Sequence, residues 1–524
     1  MQSDGRKKRT GAHCLIETLV NAGVDICFAN PGTSEMQFVA ALTDEPLLRP
    51  ILNLFEGVAT GAADGYARMS GRPAVTLLHL GPGLANGLAN MHNARKAGSP
   101  MINIIGDHTT FHKQFDAPLN SDVETTAAPY SQWVETSQSV QSLQQDAAEA
   151  VRAAWSSNGQ VASLILPADV AWTASDLPAL SVDTVPADKA SPDMIKAAIA
   201  CLTNGKRTGI VLGGNALHGE GLDRAGRVAL ATGATLFSPY ASARVQRGHG
   251  LPALNQIPFA IDLAVQTLAE FEQIILIGAK EPVAFFAYPG KPSKIIPELA
   301  DLLPVALPTE NIVAALDDIC AGLNAGFERN DVKPSDIPRA DSEAPITPDT
   351  LAAVIAASLV EGSILVDEGV SSSRGIYGAS RAAPPHDMLV NVGGSIGDGL
   401  PLALGAAVAC PERPVLCVSG DGSAAYTLQA LWSMAQQNLN VTVVICANRD
   451  YSILKGEMVR VGAMSPEDPP HPLLELRNPH LDWVKLSEGF GVRAVQCKSA
   501  GELASILDHE LQTDGPVLIE ALML

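Results

Sequence analysis

The sequence predicts an α/β protein with three doubly wound domains, each a parallel sheet with helices on both faces. Short β-branched apolar runs alternate with amphipathic stretches of helical spacing along the whole chain. Many of these runs end in glycine-rich turns, as strands of parallel sheets do before a crossover helix. The chain has 524 residues, which is too long for a single hydrophobic core.

Two linker-like stretches set the expected domain boundaries. Residues 176–192 and 328–348 are rich in Pro, Asp and Ser and show no apolar periodicity. We therefore expect an N-terminal domain at 1–175, a middle domain at 190–328 and a C-terminal domain at 345–524.

The expected strands follow in order within these domains. The first domain contains VDICFANPG, AVTLLHLGPG and MINIIGD, and the middle domain contains TGIVLGGNA and QIILIGA. The last domain contains SILVDEG, PVLCVSGDG and VTVVICANRD. Between the last two runs, apolar residues at helical spacing predict one helix and hence a pair of parallel strands: Leu428, Leu431, Trp432 and Ala435.

Composition excludes several classes of protein. The net charge of −21 argues against nucleic-acid binding, which needs clustered Lys and Arg. No apolar run reaches the roughly 18 residues of a membrane span. No signal-peptide segment follows the basic start of the chain, so we expect a cytoplasmic protein. The eight cysteines form no CxxC pair and lie mostly in apolar runs, which predicts buried free thiols.

A Gly-Asp-Gly motif and a later Asn predict a metal site. Asp421 and Asn448 come directly after neighbouring strands, and ligands bind where such strands end. A carboxylate and an amide oxygen suit Mg²⁺, which also takes oxygens from a phosphate. The small residues Gly422 and Ser423 allow a diphosphate to approach the backbone. The alternative is a tight turn capped by the Asp side chain.

Taken together, GDGSAAYTLQALW and ANRDY resemble the diphosphate-binding motif of the thiamine diphosphate enzymes, in particular the benzoylformate decarboxylase, pyruvate oxidase and acetolactate synthase group. The resemblance covers nearly the whole chain. It implies pyrimidine-binding, middle and diphosphate-binding domains, in that order. It also implies that Mg²⁺ binds Asp421, Asn448 and the backbone carbonyl of Asp450, with Tyr451 and Ser452 beside the cofactor. Many relatives have Asn-Asn where this chain has Ala447-Asn448.

Glu56 is the expected catalytic carboxyl group. It follows the apolar run ILNLF and opens a helix of small residues. From the residues alone, a helix N-terminal Glu favoured by the dipole explains it equally well. The resemblance implies instead that it bonds the cofactor's aminopyrimidine and so promotes formation of the ylid. In the family this Glu comes from the partner subunit, which implies a homodimer or homotetramer with active sites between subunits.

Three further positions follow from the resemblance. Ser371 matches a phosphate-contacting hydroxyl, although Ser372 fits nearly as well. Ile396 falls where relatives place an apolar side chain under the bent cofactor. Thr33, in NPGTSE, stands where benzoylformate decarboxylase has a Ser that contacts the substrate carboxylate.

His79 bears on the type of reaction. It follows an apolar strand, precedes a glycine-rich turn, and aligns with a catalytic His of benzoylformate decarboxylase-like members. The resemblance implies decarboxylation of a 2-oxo acid through a ylid and an enamine, with His79 relaying protons. A strand-end His bonded to nearby backbone is the alternative. No second His occurs near 281–290, where Phe285, Phe286 and Tyr288 either line an apolar pocket or pack in the core.

Other functions remain open at this stage. An acetolactate synthase-type carboligase is the main alternative, and a catalytically silent homologue is another. FAD is not expected, because the middle domain shows no flavin signal. His108 and His112 lack the spacing of the paired His motif of pyruvate decarboxylase and are expected at the surface or a pocket rim. The Pro-rich run around 466–472 is expected to form a mobile lid.

Overall fold

The computed structural model describes residues 9–183, 186–335, 337–465, 468–469 and 471–524. Most of the basic residues at the start of the chain, and part of the expected lid, lie outside these ranges. Within them, three parallel sheets flanked by helices form three α/β domains, which confirms the predicted fold class. The expected domain boundaries stay predictions.

The chain packs as two compact units. The first holds the residues up to Pro186 together with Gly393–Cys410 and Thr427–Gln437. The second holds Ala187–Val392, Pro411–Tyr426 and Asn438–Leu524. Two short segments from the C-terminal third of the sequence therefore pack with the N-terminal sheet.

The first sheet has six parallel strands in the order β2-β1-β3-β4-β6-β5. Every residue of its central strand β4 is buried, because helices cover both faces. The strands are β1 (Ile26–Ala29), β2 (Arg49–Leu52), β3 (Ala74–Leu78), β4 (Met101–Asp107), β5 (Trp133–Thr136) and β6 (Val161–Pro167). The helices are α1 (Gly11–Asn21), α2 (Met36–Asp44), α3 (Glu56–Ser70), α4 (Leu80–Ala97), α5 (Val123–Ala127), α6 (Val140–Trp155) and α7 (Ala168–Trp172).

The middle sheet has five parallel strands in the order β10-β8-β7-β11-β12. They are β7 (Thr208–Leu212), β8 (Thr235–Ser238), β10 (Asn255–Gln256), β11 (Gln273–Ile277) and β12 (Asp301–Ala306). Its helices are α8 (Pro192–Leu202), α9 (Gly219–Thr232), α10 (Ile261–Leu268) and α11 (Ile312–Gly322). Strand β9 (Val245–Arg247), between β8 and β10 in sequence, joins the third sheet instead.

The third sheet has seven strands in the order β17-β18-β16-β15-β13-β14-β9. All neighbours are parallel except β9, which adds an antiparallel edge that the sequence did not predict. The other strands are β13 (Ile364–Glu368), β14 (His386–Val390), β15 (Val415–Gly420), β16 (Val441–Ala447), β17 (Arg493–Cys497) and β18 (Val517–Leu522). The helices are α12 (Pro348–Ser358), α13 (Ile376–Ala379), α14 (Gly399–Ala409), α15 (Asp421–Ala424), α16 (Ala430–Gln436), α17 (Ser452–Arg460), α18 (Trp483–Gly489) and α19 (Ala500–Glu510).

The predicted helix between β15 and β16 forms as α16, which contains Leu431, Trp432 and Ala435, but it is shorter than expected and a second short helix, α15, precedes it. The residues between α15 and α16 bond three positions back rather than four, as in the bond from Ala430 N–H to Thr427 O. The Thr427 hydroxyl donates to Gly397 O at 2.8 Å. This bond lies in the turn between the two helices.

Helices α3 and α14 approach each other closely through glycines. Gly57, Gly61 and Gly65 recur every fourth residue on α3 and therefore share one face. A Cβ atom at Gly65 would lie 2.3 Å from Leu402 O, and one at Gly405 would lie 1.9 Å from Ala62 O. No side chain larger than hydrogen fits at these points, so the glycines fix the position of the helix that Glu56 opens.

Two predictions from composition can be compared with the structure. All eight cysteines are free thiols and six of them are buried, as expected. Among the described residues, no helix combines the length and apolar character that crossing a bilayer requires.

Candidate active site

His79 lies at the carboxyl end of β3 and is bound by a buried carboxylate. Its Nδ1 lies 2.8 Å from Glu35 Oε2, and Glu35 is only 1% exposed. The Ser34 hydroxyl donates to Glu35 Oε1 at 2.5 Å and lies 3.2 Å from the same imidazole nitrogen. The Gly32 N–H also donates to Glu35 Oε2, at 2.7 Å. Nδ1 is thereby engaged, which leaves Nε2 as the ring nitrogen available to a substrate.

Two glycines make room for this pair. A Cβ atom at Gly32 would lie 2.1 Å from His79 Nδ1, and one at Gly106 would lie 1.7 Å from Glu35 Oε1. Gly106 is on β4, the strand next to β3, so Glu35 lies across the ends of two neighbouring strands. The pair is therefore enclosed by backbone on both sides.

Glu56 opens α3, as predicted, and is 6% exposed. Its Oε2 accepts a hydrogen bond of 3.0 Å from Asn86 Nδ2 on α4. A Cβ atom at Gly83 would lie 3.2 Å from both Glu56 Oε1 and His79 Cβ. The two predicted catalytic side chains thus flank the same glycine in the first turn of α4.

The loop that carries Ile396 belongs to the same compact unit. Asn93 on α4 donates to Ser395 O at 2.8 Å and accepts from Ser395 N–H at 3.2 Å. Asn90 on the same helix donates to Gly57 O at 2.8 Å. Helix α4 therefore contacts Glu56, its helix and the Ile396 loop at once.

Other sequence-predicted residues of this unit lie further from these contacts. Thr33 is exposed at the start of a short 3₁₀ helix, and its neighbour Ser34 makes the contact with His79. His112 is exposed, and its ring centroid lies 5.6 Å from that of the half-buried His108. This placement agrees with the expected surface or rim position of the two histidines.

The predicted metal ligands lie in the second unit, at the ends of β15 and β16. The two strands are parallel neighbours, as predicted. Asp421 is 4% exposed, and its Oδ1 and Oδ2 accept from the backbone N–H groups of Gly422 and Arg449, at 2.9 and 2.7 Å. Asn448 Oδ1 accepts from Asp450 N–H at 2.9 Å, so this loop folds around the Asn side chain.

The donor set fits Mg²⁺. Burial raises the pKa of Asp421 to about 6, against the lowering effect of its backbone hydrogen bonds. Among the described residues, no Lys, Arg or His forms an ion pair with Asp421, although the charge of Arg449 also lowers the pKa of its carboxyl. The Asp450 carboxylate, in contrast, pairs with Lys455 at 2.5 Å. Oxygens from a carboxylate, an amide and a backbone carbonyl are the ligands that a hard cation prefers.

The remaining predicted cofactor residues surround this loop. A Cβ atom at Gly422 would lie 2.5 Å from Tyr451 Cε1, so only glycine leaves the Tyr ring in place. Asn448 Nδ2 lies 3.4 Å from Ser452 Oγ and 3.5 Å from Ser372 Oγ. Ser371 is half-buried beside Ser372, and Ser423 is buried in α15. Ser372 and Ser452 therefore lie beside Asn448, and Tyr451 lies against Gly422.

Three residues with positive φ stand next to predicted site residues. Leu80 has φ 46° and follows His79, Val370 has φ 51° and precedes Ser371, and Arg449 has φ 57° and follows Asn448. Non-glycine residues rarely adopt this conformation, and a β-branched residue does so only under strain. Such strain is concentrated at functional sites in proteins.

The middle domain has no His near 281–290, and its aromatic residues are only partly buried. Phe285 and Phe286 are each about half exposed and contact each other at 4.8 Å between ring centroids. Tyr288 borders a cavity of about 340 Å³ together with Phe259 and Arg460. The two Phe side chains are therefore too exposed to be core residues.

The sequence prediction missed Glu35, Asn86 and Asn93. Glu35 was visible in NPGTSE, but an acidic residue three positions after Gly32 looks like an ordinary helix-start carboxylate. Asn86 and Asn93 lie seven residues apart on α4 and therefore on one face of it. Two Asn residues on one face of a predicted helix indicate a polar contact surface, and this was the only signal in the sequence for these two residues.

Comparison with known proteins agrees with this geometry. A family model described as thiamine pyrophosphate enzyme, N-terminal TPP binding domain, matches residues 9–125, and the corresponding C-terminal TPP binding domain matches residues 372–521. Thiamine pyrophosphate and thiamine diphosphate are the same compound.

Relatives match over the full length. The chain is 44% identical to the putative acetolactate synthase large subunit IlvX of Mycobacterium tuberculosis, over 98% of this chain and 99% of that one. It is 30% identical to benzoylformate decarboxylase of Pseudomonas aeruginosa, over 96% and 97% of the two chains. The solved 4-hydroxybenzoylformate decarboxylase of Rhodococcus jostii RHA1 has the same fold, with a TM-score of 0.86, 24% identity, and coverage of 98% and 99%. The chain therefore belongs to the thiamine pyrophosphate enzyme family, in the group of acetolactate synthase large subunits and benzoylformate decarboxylases.

Proposed function

We propose that this thiamine diphosphate-dependent enzyme uses Mg²⁺ to decarboxylate a 2-oxo acid. The observation that carries the proposal is the pairing of His79 with the buried Glu35, beside Glu56, at the carboxyl end of the first sheet. An imidazole held by a carboxylate is a common proton-transfer device. A carbon–carbon lyase that ends in an aldehyde needs such a device to deliver a proton.

When bound, thiamine diphosphate supplies the nucleophilic carbon and accepts the electron pair that loss of CO₂ leaves behind. Glu56 holds a proton at the pyrimidine ring of the cofactor. Its Oε2 is held by Asn86, which leaves Oε1 to make that contact. Asn86 therefore acts as a positioning residue for Glu56.

His79 moves protons at the substrate. Glu35 and Ser34 engage Nδ1, so Nε2 is the atom that exchanges a proton with the substrate oxygen or carbon. The exposed Thr33 hydroxyl, on the same loop as Glu35, contacts the substrate carboxylate. No second His is required if one imidazole serves both proton transfers.

Asp421, Asn448 and the carbonyl of Asp450 hold Mg²⁺ in this proposal. The cation neutralises the Asp421 carboxylate and the diphosphate together. Ser371 or Ser372, Ser423 and Ser452 donate to phosphate oxygens, and Ile396 supports the cofactor. Glu56 of one subunit and the metal ligands of another then form each active site of a homodimer or homotetramer. The eight free thiols support a reducing compartment such as the cytoplasm.

Acetolactate synthase-type carboligation is the second candidate. It is favoured by the 44% identity to a putative acetolactate synthase large subunit. The same residues serve both reactions up to the loss of CO₂. A decarboxylase then adds a proton to the remaining carbon, whereas a carboligase joins that carbon to a second carbonyl compound. A catalytically silent homologue is disfavoured, because the chain has Glu56, Asp421 and Asn448 in place.

The test is CO₂ release and product identification with a panel of 2-oxo acids, including pyruvate and benzoylformate. The enzyme is reconstituted with thiamine diphosphate and Mg²⁺. An aldehyde as the main product supports the decarboxylase, whereas acetolactate or another acyloin makes the protein a carboligase. Cofactor binding without turnover of any acid would contradict both reactions for these substrates.

A further inference from the structure

Arg247 is a buried cation at the edge of the third sheet. It lies on β9 and is 5% exposed. Its guanidinium carbon lies 3.4 Å from the centroid of the Tyr377 ring, and Nη2 donates to Tyr377 O. Among the residues that the structure describes, Nε and Nη1 have no hydrogen-bond partner although both are buried. Buried N–H groups without partners are rare in folded proteins.

Among the described residues, no carboxylate forms an ion pair with this guanidinium. The nearest acidic residue on the paired strand, Asp387, lies opposite Gln246 and so faces the other side of the sheet. Its two carboxylate oxygens already accept from Arg244 and Arg413, each at 2.6 Å. Burial lowers the pKa of Arg247 to about 10, so the side chain stays charged at neutral pH. A buried charge without a counter-ion is strongly destabilising.

Two further buried groups near Arg247 have unused polar atoms. His386 lies directly opposite Arg247 in the antiparallel pair, on the same face of the sheet. Its Nδ1 is bonded to Pro384 O at 2.8 Å, which leaves Nε2 buried without a partner. Ser380 is fully buried and its hydroxyl also lacks a partner in the described part of the chain. Ser380 lies in the segment that follows Tyr377. In the same segment, the carbonyl oxygen of Ala383 accepts a hydrogen bond from the N–H of His249, two residues after Arg247.

We propose that a small monovalent anion of the chloride class binds among Arg247, His386 and Ser380. The anion accepts from Arg247 Nε and Nη1 and from the Ser380 hydroxyl. Burial lowers the pKa of His386 to about 4, so at neutral pH its Nε2 carries no proton. This nitrogen donates to the anion only in acid, while Nδ1 keeps its bond to Pro384 O. A water molecule satisfies the same hydrogen-bonding groups, but only an anion also neutralises the guanidinium.

The place of this site in the fold defines its role. Strand β9 comes from the middle segment of the sequence, and its pairing with β14 ties that segment to the third sheet. The segment from Tyr377 to Ser380 follows the loop of Ser371 and Ser372. An anion here therefore stabilises the join between β9, β14 and that segment, and takes no part in the chemistry.

The first experiment is diffraction from crystals of the wild-type protein soaked in bromide, which scatters anomalously. We expect an anomalous peak within about 3.5 Å of Arg247 Nε or Nη1, a usual N–H to halide distance. Density for a water molecule without an anomalous peak would overturn the proposal.

The second experiment measures Tm against chloride concentration, with gluconate keeping the ionic strength constant. We expect the Tm of the wild type to rise by about 1 °C for each tenfold increase in chloride above its dissociation constant, because a ligand of the folded state stabilises it. The rise should vanish in Arg247→Met and persist in Arg227→Met. Arg227 is a matched control, since it stacks on Phe327 at 4.7 Å and donates to backbone carbonyls. An equal rise in both variants would contradict the site. If Arg247→Met does not fold, the bromide experiment decides alone.

Discussion

The two regions that carry the predicted site residues differ in how their polar groups are satisfied. In the first unit, Glu35 binds His79 and Glu56 binds Asn86, so each catalytic side chain has a partner within the chain. In the described part of the second unit, Asp421 accepts from the backbone N–H groups of Gly422 and Arg449 and from no side chain, and burial raises the pKa of its carboxyl to about 6.

From this difference we expect the polar side chains of the first unit to keep their positions without a ligand. The loop around Asp421 and Asn448 is expected to depend on a bound ligand for its stability. The proposed catalytic groups of the first unit, Glu56 and His79, are already oriented by packing and hydrogen bonds, so their positions should not depend on the cofactor. The loop of the proposed metal ligands holds the buried Asp421 carboxylate, which has no ion-pair partner among the described residues, next to strained backbone at Arg449. It should gain stability mainly when a cation binds.

The largest expected effect combines the two regions. Glu56→Gln and Asp421→Asn should each lower activity at least about 100-fold, since each removes a group required for the chemistry.

If active sites form between subunits, hybrids of the two variants contain one intact site. Co-expression should then restore about a quarter of wild-type activity in a random mixture of two-fold symmetric dimers. Absence of recovery in verified hybrids would contradict shared sites. Glu220→Gln and Asp349→Asn, at exposed helix starts, are the control pair.

The second prediction concerns the stability of the metal-free protein. The folded pKa of Asp421, about 6, exceeds its ordinary value of 3.8, so the folded state holds this proton more tightly. The protonated Asp421 side chain therefore contributes to the stability of the folded state at low pH, and this contribution is lost as the pH rises from 4 to 6. Relative to Asp421→Asn, the wild type should lose up to roughly 3 kcal/mol across this window, at about 1.4 kcal/mol per pKa unit. Urea unfolding at several pH values measures it, and saturating Mg²⁺ should remove the loss.

If the free energies of unfolding of the wild type and Asp421→Asn differ by the same amount at every pH from 4 to 7, the ionised Asp421 carboxylate does not destabilise the metal-free protein. The same series on Asp349→Asn gives the background, because Asp349 is exposed.

A smaller effect is expected for the residue that orients His79. Glu35→Gln should lower kcat on the order of 10- to 100-fold, the usual cost of removing a supporting hydrogen-bond partner. KM and thiamine diphosphate affinity should change little, because Glu35 touches neither ligand in the proposal. Steady-state kinetics and calorimetry distinguish this result from general damage. Unchanged kcat would remove Glu35 from the mechanism, and Glu124→Gln, which is exposed, is the control.

The smallest effect tests the backbone of the loop of the proposed metal ligands. Gly422→Ala places a Cβ atom 2.5 Å from Tyr451 Cε1, so the Tyr ring must move. Thiamine diphosphate should bind about fivefold more weakly, as expected from about 1 kcal/mol of overpacking. Gly456→Ala is the matched control, since a Cβ there meets no atom within 4 Å and Gly456 lies inside α17. Equal affinities in the two variants would show that Tyr451 is not needed for binding.

The sequence predicted those parts of the fold that depend on local patterns. All eight quoted apolar runs form strands, because buried parallel strands leave a continuous apolar signal. Strand β9 left no such signal, since Val245–Arg247 is short and its pairing with β14 is distant in sequence. The turn between α15 and α16 contains the bond from Thr427 to Gly397, which is also non-local.

The candidate site shows the same limit. The proximity of Asp421 and Asn448 followed from one βαβ unit, so topology rules sufficed. The Glu35–His79 contact joins residues 44 positions apart, and it requires the loops after β1 and β3 to meet. The order of those strands was not predicted, so the partner of His79 was not found.

The measurement that tests the central claim most directly compares the wild type with Glu56→Gln. Both are titrated with thiamine diphosphate and Mg²⁺ by calorimetry and assayed for CO₂ release from the preferred 2-oxo acid. We expect similar cofactor affinity, with CO₂ release dependent on both ligands in the wild type and at least about 100-fold slower in the variant. CO₂ release at the wild-type rate by Glu56→Gln, or release without the cofactor, would contradict the account.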